Sequence, residues 1–540
     1  MSPSLKTISA GLREKNRGNL PFEGLLASIR EFFQSFGEDK KMSADLLFMI
    51  TYMASITTAR ATRPEIFAYT AARKEFVPSK YFAKIEVFVK KWNYSYVDAL
   101  TIMAERVKNT MLQSMLNRYA NSIESGVPDE DFLTRELITI RSIYRNSYEQ
   151  GLEMLKKWGD AYIAMLFSAA LVGIIIMISV AIFSPENVQT TLMMSYFIVI
   201  CVSLFGLVTM YRAVPSDQKV HDLARGSKEQ GMIHRMSRKV LPAVFIIAVI
   251  FFMLTIFGII PDAYGLIMFI TGLLLFPVGV IGYLDDANII NRDSDFTTFI
   301  RSLGSVMGGK GVTITHALNE IDRKSLTTLE PLVNGVYSKL NLGFDDRLTW
   351  ERFIGESGSN LIYKYLNIFR DSIELGGSPD QIGEIVGSSM LEQVLLRNHR
   401  HTISMGFVVL LIPMHAMMIA IFLFLYHILL RMSQAISEVV QSLGPMNSGG
   451  MAGAGTVSGT MGGAVTMFVN FPKAEMTVYV MIIITIITIS NIIAGRIVFG
   501  GGRYMFYFFA SILCTVTGII YIAAPFIVGL FFNIPTFQGV

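Results

Sequence analysis

The octapeptide GSVMGGKG, Gly304 to Gly311, stands one residue away from a phosphate-binding loop. Gly304, Gly309 and Lys310 match G-x4-G-K, a pattern in which backbone amides cradle phosphates and the lysine reaches the outer ones. The next position must carry a hydroxyl for Mg2+, and here it is Gly311. No strand-like run precedes the stretch, which reads as a helix end and a turn. Any ATP hydrolysis that serves this protein must then come from another chain. His415 and His427 lie inside one long apolar run. An ionisable residue within a membrane is a functional candidate by default. On one helix the two stand about 18 Å apart, too far to share a metal. They read as neutral, hydrogen-bonded packing residues. His399 and His401, in RNHRHT, fall at the edge of the same run and read as its flank. Cys201 and Cys514 are both inside apolar runs, which suits neither a disulfide framework nor a zinc site. This inventory gives no catalytic, cofactor or metal centre.

The elements carrying these residues are set by composition. The 540 residues are 52% hydrophobic and 16% charged, with a mean hydropathy of +0.47. Ordinary soluble chains carry about 25% charged residues. The apolar residues cluster in seven runs, near 161–183, 190–211, 240–260, 263–284, 403–430, 475–494 and 504–532. Each approaches or exceeds the ~20 residues that cross a hydrocarbon core as helix. Because the runs are continuous and not alternating, a β-barrel is excluded. Their interiors hold no Asp, Glu, Lys or Arg. Ion-coupled transporters need such groups near the midplane, which weighs against a polytopic transporter, the rival class of function. Gly173, Gly206, Gly272, Gly406 and Gly518 are placed to let helices approach closely.

Charge sets the expected topology. Of the 46 Lys and Arg, 23 lie in 1–160, seven in 212–239, twelve in 285–402 and two in 495–503. The intervening segments carry only Arg431 and Lys473. Basic segments stay inside, so the expected arrangement is a multi-pass protein of the cytoplasmic membrane, N-terminus inside and C-terminus outside. The polar N-terminal stretch has no signal-peptide core. Acidic and basic residues are interleaved in both large inner parts, which does not suit a nucleic-acid partner. The segments are then an N-terminal piece (1–41), a helical bundle (42–160) and four spans with a basic loop 212–239 (161–284). A second bundle (285–402), a span (403–430), an outer Gly-rich segment (431–474), two spans (475–532) and an outer tail (533–540) follow.

The two bundles repeat one another. NSIESGVPD from Asn121 returns as DSIELGGSPD from Asp371. A constant offset of 250 also sets Asp45 on Asp295, Ser55 on Ser305 and Arg60 on Lys310. Apolar spacings of three and four, broken by Gly and Pro clusters, give about six helices per copy and no sheet. The repeated phrase is a joint between helices. Gly126 and Gly376 sit where a helix stops on a left-handed residue. Pro128 and Pro379 suit the next first turn, and Asp129 and Asp380 suit its dipole. Glu124 and Glu374 face the negative end of their own helix. Either they turn back to the next helix's amides or to water, or they are offered to a basic partner.

The loop RAVPSDQKVHDLARGSKEQGMIHRMSRK (212–239) carries Arg212, Lys219, Arg225, Lys228, Arg235, Arg238 and Lys239. These cations fit an acidic protein surface, anionic lipid headgroups, or both. The uncharged stretch 444–472 reads as an outer linker that can dip into the outer leaflet or meet exported subunits.

Two all-helical copies, each ending in an E-x-G turn and leading into a membrane span, resemble the type II secretion F family. That family comprises the inner-membrane platforms of type IV pilus-like machines. Glu124–Gly126 before DEDFLTREL, and Glu374–Gly376 before PDQIGEIV, carry the likeness. Bacterial members typically have three spans. The added spans between and after the copies look like the archaeal branch, most like its archaellum platforms, with adhesive-pilus and secretion platforms as the alternative. The resemblance implies a non-enzymatic homodimer set against a hexameric secretion ATPase and its ATP-binding accessory protein. It further implies that the platform moves prepilin- or archaellin-like subunits, without a cofactor of its own.

Overall fold

Local signals start and stop each helix. The Thr62 amide donates to Glu65 Oε2 (2.8 Å), closing a capping box. Ser95, Asn109 and Asp345 each accept from the amide three residues on, at 3.1, 3.0 and 2.8 Å. These caps belong to a computed structural model describing residues 41–183, 187–215, 217–256, 263–442 and 471–531. The N-terminal piece before 41, most of the Gly-rich segment and the C-terminal tail lie outside the described residues.

Sixteen α-helices are present among the described residues, with one isolated antiparallel bridge between Val220 and Ser359 and no strand. They are α1 (41–57), α2 (Arg63–Ala72), α3 (Ser79–Trp92), α4 (Tyr96–Arg106), α5 (Thr110–Glu124), α6 (Asp129–Phe183), α7 (Val188–Ala213) and α8 (Lys228–Ile256). They continue as α9 (Tyr264–Lys310), α10 (Ile314–Glu320), α11 (Glu330–Asn341), α12 (Asp346–Ser357), α13 (Asn360–Glu374) and α14 (Pro379–Ser442). α15 (Lys473–Phe499) and α16 (Met505–Phe531) complete the chain.

The repeat is visible helix by helix. α2 to α6 start at 63, 79, 96, 110 and 129; α10 to α14 start at 314, 330, 346, 360 and 379. The differences are 251, 251, 250, 250 and 250. Left-handed residues recur at matching places: Arg60 and Gly311, Asn93 and Gly343, Gly126 and Gly376. The register is therefore not gapless, as the constant offset suggested. One residue enters after the first helix, so Gly311 and not Lys310 is the partner of Arg60, and it leaves again before Asn93.

The described residues up to Asn146, with Lys364–Ser389, form one compact unit. It holds the first copy together with most of α13 and the start of α14 from the second. Its core includes Phe67, Phe82 and Tyr119, with Phe67 5.4 Å from Phe82 and 5.5 Å from Tyr119. Phe48 lies 5.0 Å from Tyr365, and the Lys364 ammonium stands 4.7 Å over Phe48 and 5.2 Å over Phe76. Lys364 pairs with the buried Asp45 carboxylate.

The remaining residues form the second unit. Among the described residues six helices are long and apolar enough to cross a membrane: α6, α7, α9, α14, α15 and α16. The seventh expected run starts in α8 at Val240 and continues into 257–260, outside the described residues. The chain is an all-α polytopic membrane protein. α9 joins a span to the first helix of the second copy without a break, which the sequence reading left as a boundary at 285. α9 and α16 meet backbone to backbone. A Cβ on Gly272 would come within 2.5 Å of the Thr515 nitrogen, and one on Gly518 within 2.4 Å of the Phe269 nitrogen. Gly206 makes room for Tyr162 and Gly173 for Tyr479. Gly406 does not fit this role, since nothing lies within 4 Å of where its Cβ would be.

Candidate functional site

The repeated joint is built identically in both copies. The Gly126 amide donates to the Ile123 carbonyl (3.1 Å) and Val127 to Ser122 (3.1 Å). Gly376 donates to Ile373 (2.9 Å) and Gly377 to Ser372 (3.0 Å). These paired bonds close a left-handed helix cap, with φ of 71° at Gly126 and 89° at Gly376. Glu124 is exposed; Glu374 is exposed too and accepts from Arg370 at 3.4 Å. Asp129 does more than face a helix dipole. It accepts from Arg63 Nε (3.1 Å to each oxygen) and from the Tyr119 hydroxyl (3.1 Å). Asp380 accepts from the Ser378 hydroxyl at 2.6 Å.

The basic loop is pinned from beneath, a feature the sequence reading missed. Lys219 was expected on a docking surface, yet it is buried and donates to Asp286 (2.9 and 3.2 Å). Burial pulls its ammonium below the ordinary value, and Asp286 offsets only part of that. Lys219 is thus withdrawn from the docking set. Beside it, Arg397 of α14 grips two carboxylates. Nη2 donates to Asp217 (2.6 Å) and Nη1 to Asp293 (2.6 Å). Burial alone would push the Asp217 carboxyl up, but Arg397 outweighs it and holds the group below the usual range. The Ser359 hydroxyl also donates to Asp293. Ser227 (2.7 Å) and the Gln230 amide (3.1 Å) donate to Asp285. Arg212, Arg225, Lys228, Arg235, Arg238 and Lys239 are all exposed. The acidic partners stand at 217, within the loop itself, and at 285, 286 and 293 on α9, so spacing along the chain gave no signal for the set.

Gly304, Gly309 and Lys310 lie on α9, and Gly311 ends it in the left-handed region. Lys310 pairs with Glu320. A continuous helix aims its amides along its own axis, so these residues form no phosphate cradle.

His415 of α14 is buried within the spans. Asn491 Nδ2 donates to its Nδ1 at 3.0 Å. Nε2 is then the protonated nitrogen and donates to the Thr517 hydroxyl at 2.9 Å. Thr488 gives its own proton to the Ile484 carbonyl (2.8 Å), so it accepts from Thr517 (3.2 Å). The Tyr162 hydroxyl closes the set by donating to Asn491 Oδ1 (3.0 Å). This chain is neutral and every member is satisfied.

One further repeated feature escaped the sequence reading. The left-handed residues Asn93 and Gly343 are each flanked by exposed apolar side chains, Trp92 and Tyr94 in one copy, Leu342 and Phe344 in the other. The 250 offset would have found the pair.

The geometry defines a class: a polytopic all-α membrane protein carrying a duplicated helical module on each of two long helices, α6 and α14. Among known proteins the chain is similar to Flagella accessory protein J of Methanocaldococcus jannaschii, 23% identical over 392 residues, covering 71% of this chain and 69% of that one. It is also similar to Flagella accessory protein J of Methanococcus voltae, 23% identical over 326 residues, covering 59% of this chain and 58% of the relative. The match thus spans little more than half the length of the second. No family profile matches the chain, and no solved structure matches it.

Proposed function

We propose that this protein is the membrane platform of an archaeal type IV pilus-like filament, an archaellum. On this reading it couples a cytoplasmic secretion ATPase to the movement of filament subunits in the membrane. Support comes first from one observation: each copy of the module ends in a single helix that continues into a span, Asp129–Phe183 and Pro379–Ser442. A continuous helix is a stiff rod, so a push on a module reaches the bilayer without an intervening joint. The names of the two relatives point the same way. The basic segments lie on the cytoplasmic side, and the protein works as a homodimer, a support and not an enzyme.

The exposed cations Arg225, Lys228, Arg235, Arg238 and Lys239 dock the ATPase or its ATP-binding partner, while the buried side of the loop transmits the load to α9 and α14 through Lys219 and Arg397. Glu124 and Glu374 are the acidic contacts at the paired joints. The test is co-purification of the full chain with its secretion ATPase. Reversing the five cations should abolish binding while thermal melting stays unchanged. Undiminished binding would defeat the docking assignment, and ion-coupled flux in proteoliposomes would defeat the platform reading.

A further inference from the structure

α15 follows both copies of the repeat and belongs to neither, yet it is the most enclosed of the membrane helices. Its most apolar window is 61% buried, against 28% to 44% in the other five. It also hydrogen-bonds to each of those five. Tyr479 donates to the Gly173 carbonyl of α6 (2.8 Å) and bonds Ser195 of α7 (2.6 Å). Thr485 meets Tyr264 of α9 (2.8 Å), Thr477 meets Tyr426 of α14 (2.7 Å), and Thr488 meets Thr517 of α16 (3.2 Å). Interhelical polar contacts of this kind fix helix position in lipid, where apolar side chains discriminate little between protein and solvent.

We infer that α15 is the transmission core of the membrane region, and that Asn491 is the positioning residue linking the exit helix of one copy to that of the other. Asn491 accepts from Tyr162 of α6 through Oδ1 and donates to His415 of α14 through Nδ2, both at 3.0 Å. It is fully buried, as is His415, and Tyr162 is 1% exposed. The amide is planar, so it cannot follow a displacement of α6 at one end without moving the bond at the other. Water cannot replace either partner at that depth. A shift of either exit helix is therefore felt by its counterpart through one side chain. The biological consequence rests on the platform reading; the coupling itself does not.

The experiment is a double-mutant cycle on the detergent-purified full chain, read as melting temperature. Tyr162→Phe and His415→Leu should each lower it, and together lower it by less than the sum of the two. In an Asn491→Leu background Tyr162→Phe should lower it no further, and His415→Leu should lower it by less than in the wild type, losing only the Thr517 bond. Fully additive shifts that persist in that background would overturn the coupling. If the Asn491→Leu protein does not accumulate, the Tyr162–His415 cycle alone decides, non-additivity supporting the inference and additivity overturning it. The second readout is filament assembly in cells at matched membrane levels. Tyr162→Phe should impair assembly, whereas Ser168→Ala, an exposed site on the same helix, should not. Equal assembly would overturn the transmission role while leaving ATPase docking intact. Failure of the wild-type chain to bind the ATPase would strike the platform reading and leave the cycle standing.

Discussion

Asp45 and Asp295 make the same bond in two copies of one module. The Asp45 carboxylate accepts from the Val77 amide at 3.1 Å; the Asp295 carboxylate accepts from Thr328 and Leu329 at 2.8 and 3.1 Å. Each holds the chain just ahead of the third helix of its copy, α3 or α11, where amides have no intrahelical partner. A difference of charge separates them: Asp45 also neutralises the buried Lys364.

That difference orders two substitutions. Asn can still accept from the amides, so Asp295→Asn should cost about 1 kcal/mol or less. Asp45→Asn strands a buried ammonium and should cost about 3–5 kcal/mol. Denaturant midpoints of the purified protein in detergent would check the order. Equal losses would mean that Lys364 finds water or another acceptor.

The paired joints carry a second expectation. Gly376 has φ of 89° and open space around its missing Cβ, so Gly376→Ala should cost only the conformational penalty, about 1–2 kcal/mol. Its neighbour Gly377 has an ordinary φ but no room: a Cβ there would stand 2.6 Å from Thr58 Oγ1 and 2.9 Å from the Ser372 carbonyl. Gly377→Ala should be the more damaging, measured as loss of melting temperature. A milder effect at Gly377 would show that the turn after α1 can yield.

This contrast marks how far the sequence could be read. Gly376 announces itself because a repeat, a helix end and a proline two to three residues on converge there, all local signals. The closeness of Gly377 to Thr58 depends on two segments more than three hundred residues apart. The same holds for the membrane region. Continuous apolar runs gave the spans, and charge-poor neighbours gave the loop its identity. Lys219 read as a surface cation because its counter-charge, Asp286, sits on α9, 67 residues further along the chain. His415 is hydrogen-bonded, as expected of a polar residue in a span, but Asn491, its partner, carried no pattern that would separate it from any other polar residue there. Side-chain partners across helices follow from packing, and a single sequence holds no period for them.

Asp371 gives the fold a pH dependence. Burial is the main cause that pushes its carboxyl up to about 6, with Glu374 and Glu75 adding and Arg73 opposing. Below its ordinary value of 3.8 the group is protonated whether the chain is folded or not. Between that value and about 6 the folded chain keeps a proton the unfolded chain has lost. The contribution to stability is therefore full at the acid end and lost as pH rises through about 6. Asp371→Asn should flatten the fall in melting temperature from about pH 4.5 to about pH 6.5. Identical slopes in the two proteins would refute the assignment.

Arg397 tests the pinned loop. Removing it by Arg397→Ala leaves Asp217 and Asp293 buried without the cation that hydrogen-bonds both, which should cost about 3–5 kcal/mol. Arg397→Lys should recover little, because a single ammonium cannot present two forks to two carboxylates at once. Limited proteolysis in 212–239 reports whether the loop is released. Full rescue by lysine would argue that one pair alone holds it.

The glycines of the spans separate close approach from mere smallness. At Gly272 even a methyl group would lie 2.2 Å from Thr515 Oγ1, 2.5 Å from the Thr515 nitrogen and 2.8 Å from the Ser511 carbonyl. Two of these three are backbone atoms, which cannot rotate aside, so Gly272→Ala must push α9 away from α16. The second tight point, Gly518 against the Phe269 backbone, lies on the same contact and cannot absorb the shift. Gly406 is the counter-case on α14, with nothing within 4 Å of its absent Cβ. There Ala relieves the helix of glycine's extra chain entropy, a gain of about 0.5–1 kcal/mol. Gly272→Ala should therefore reduce both membrane accumulation and melting temperature, while Gly406→Ala should hold or raise them. The two substitutions add the same atom to the same kind of helix, so opposite outcomes can only come from what faces each glycine. Matching outcomes would mean that α9 and α16 do not meet along this line.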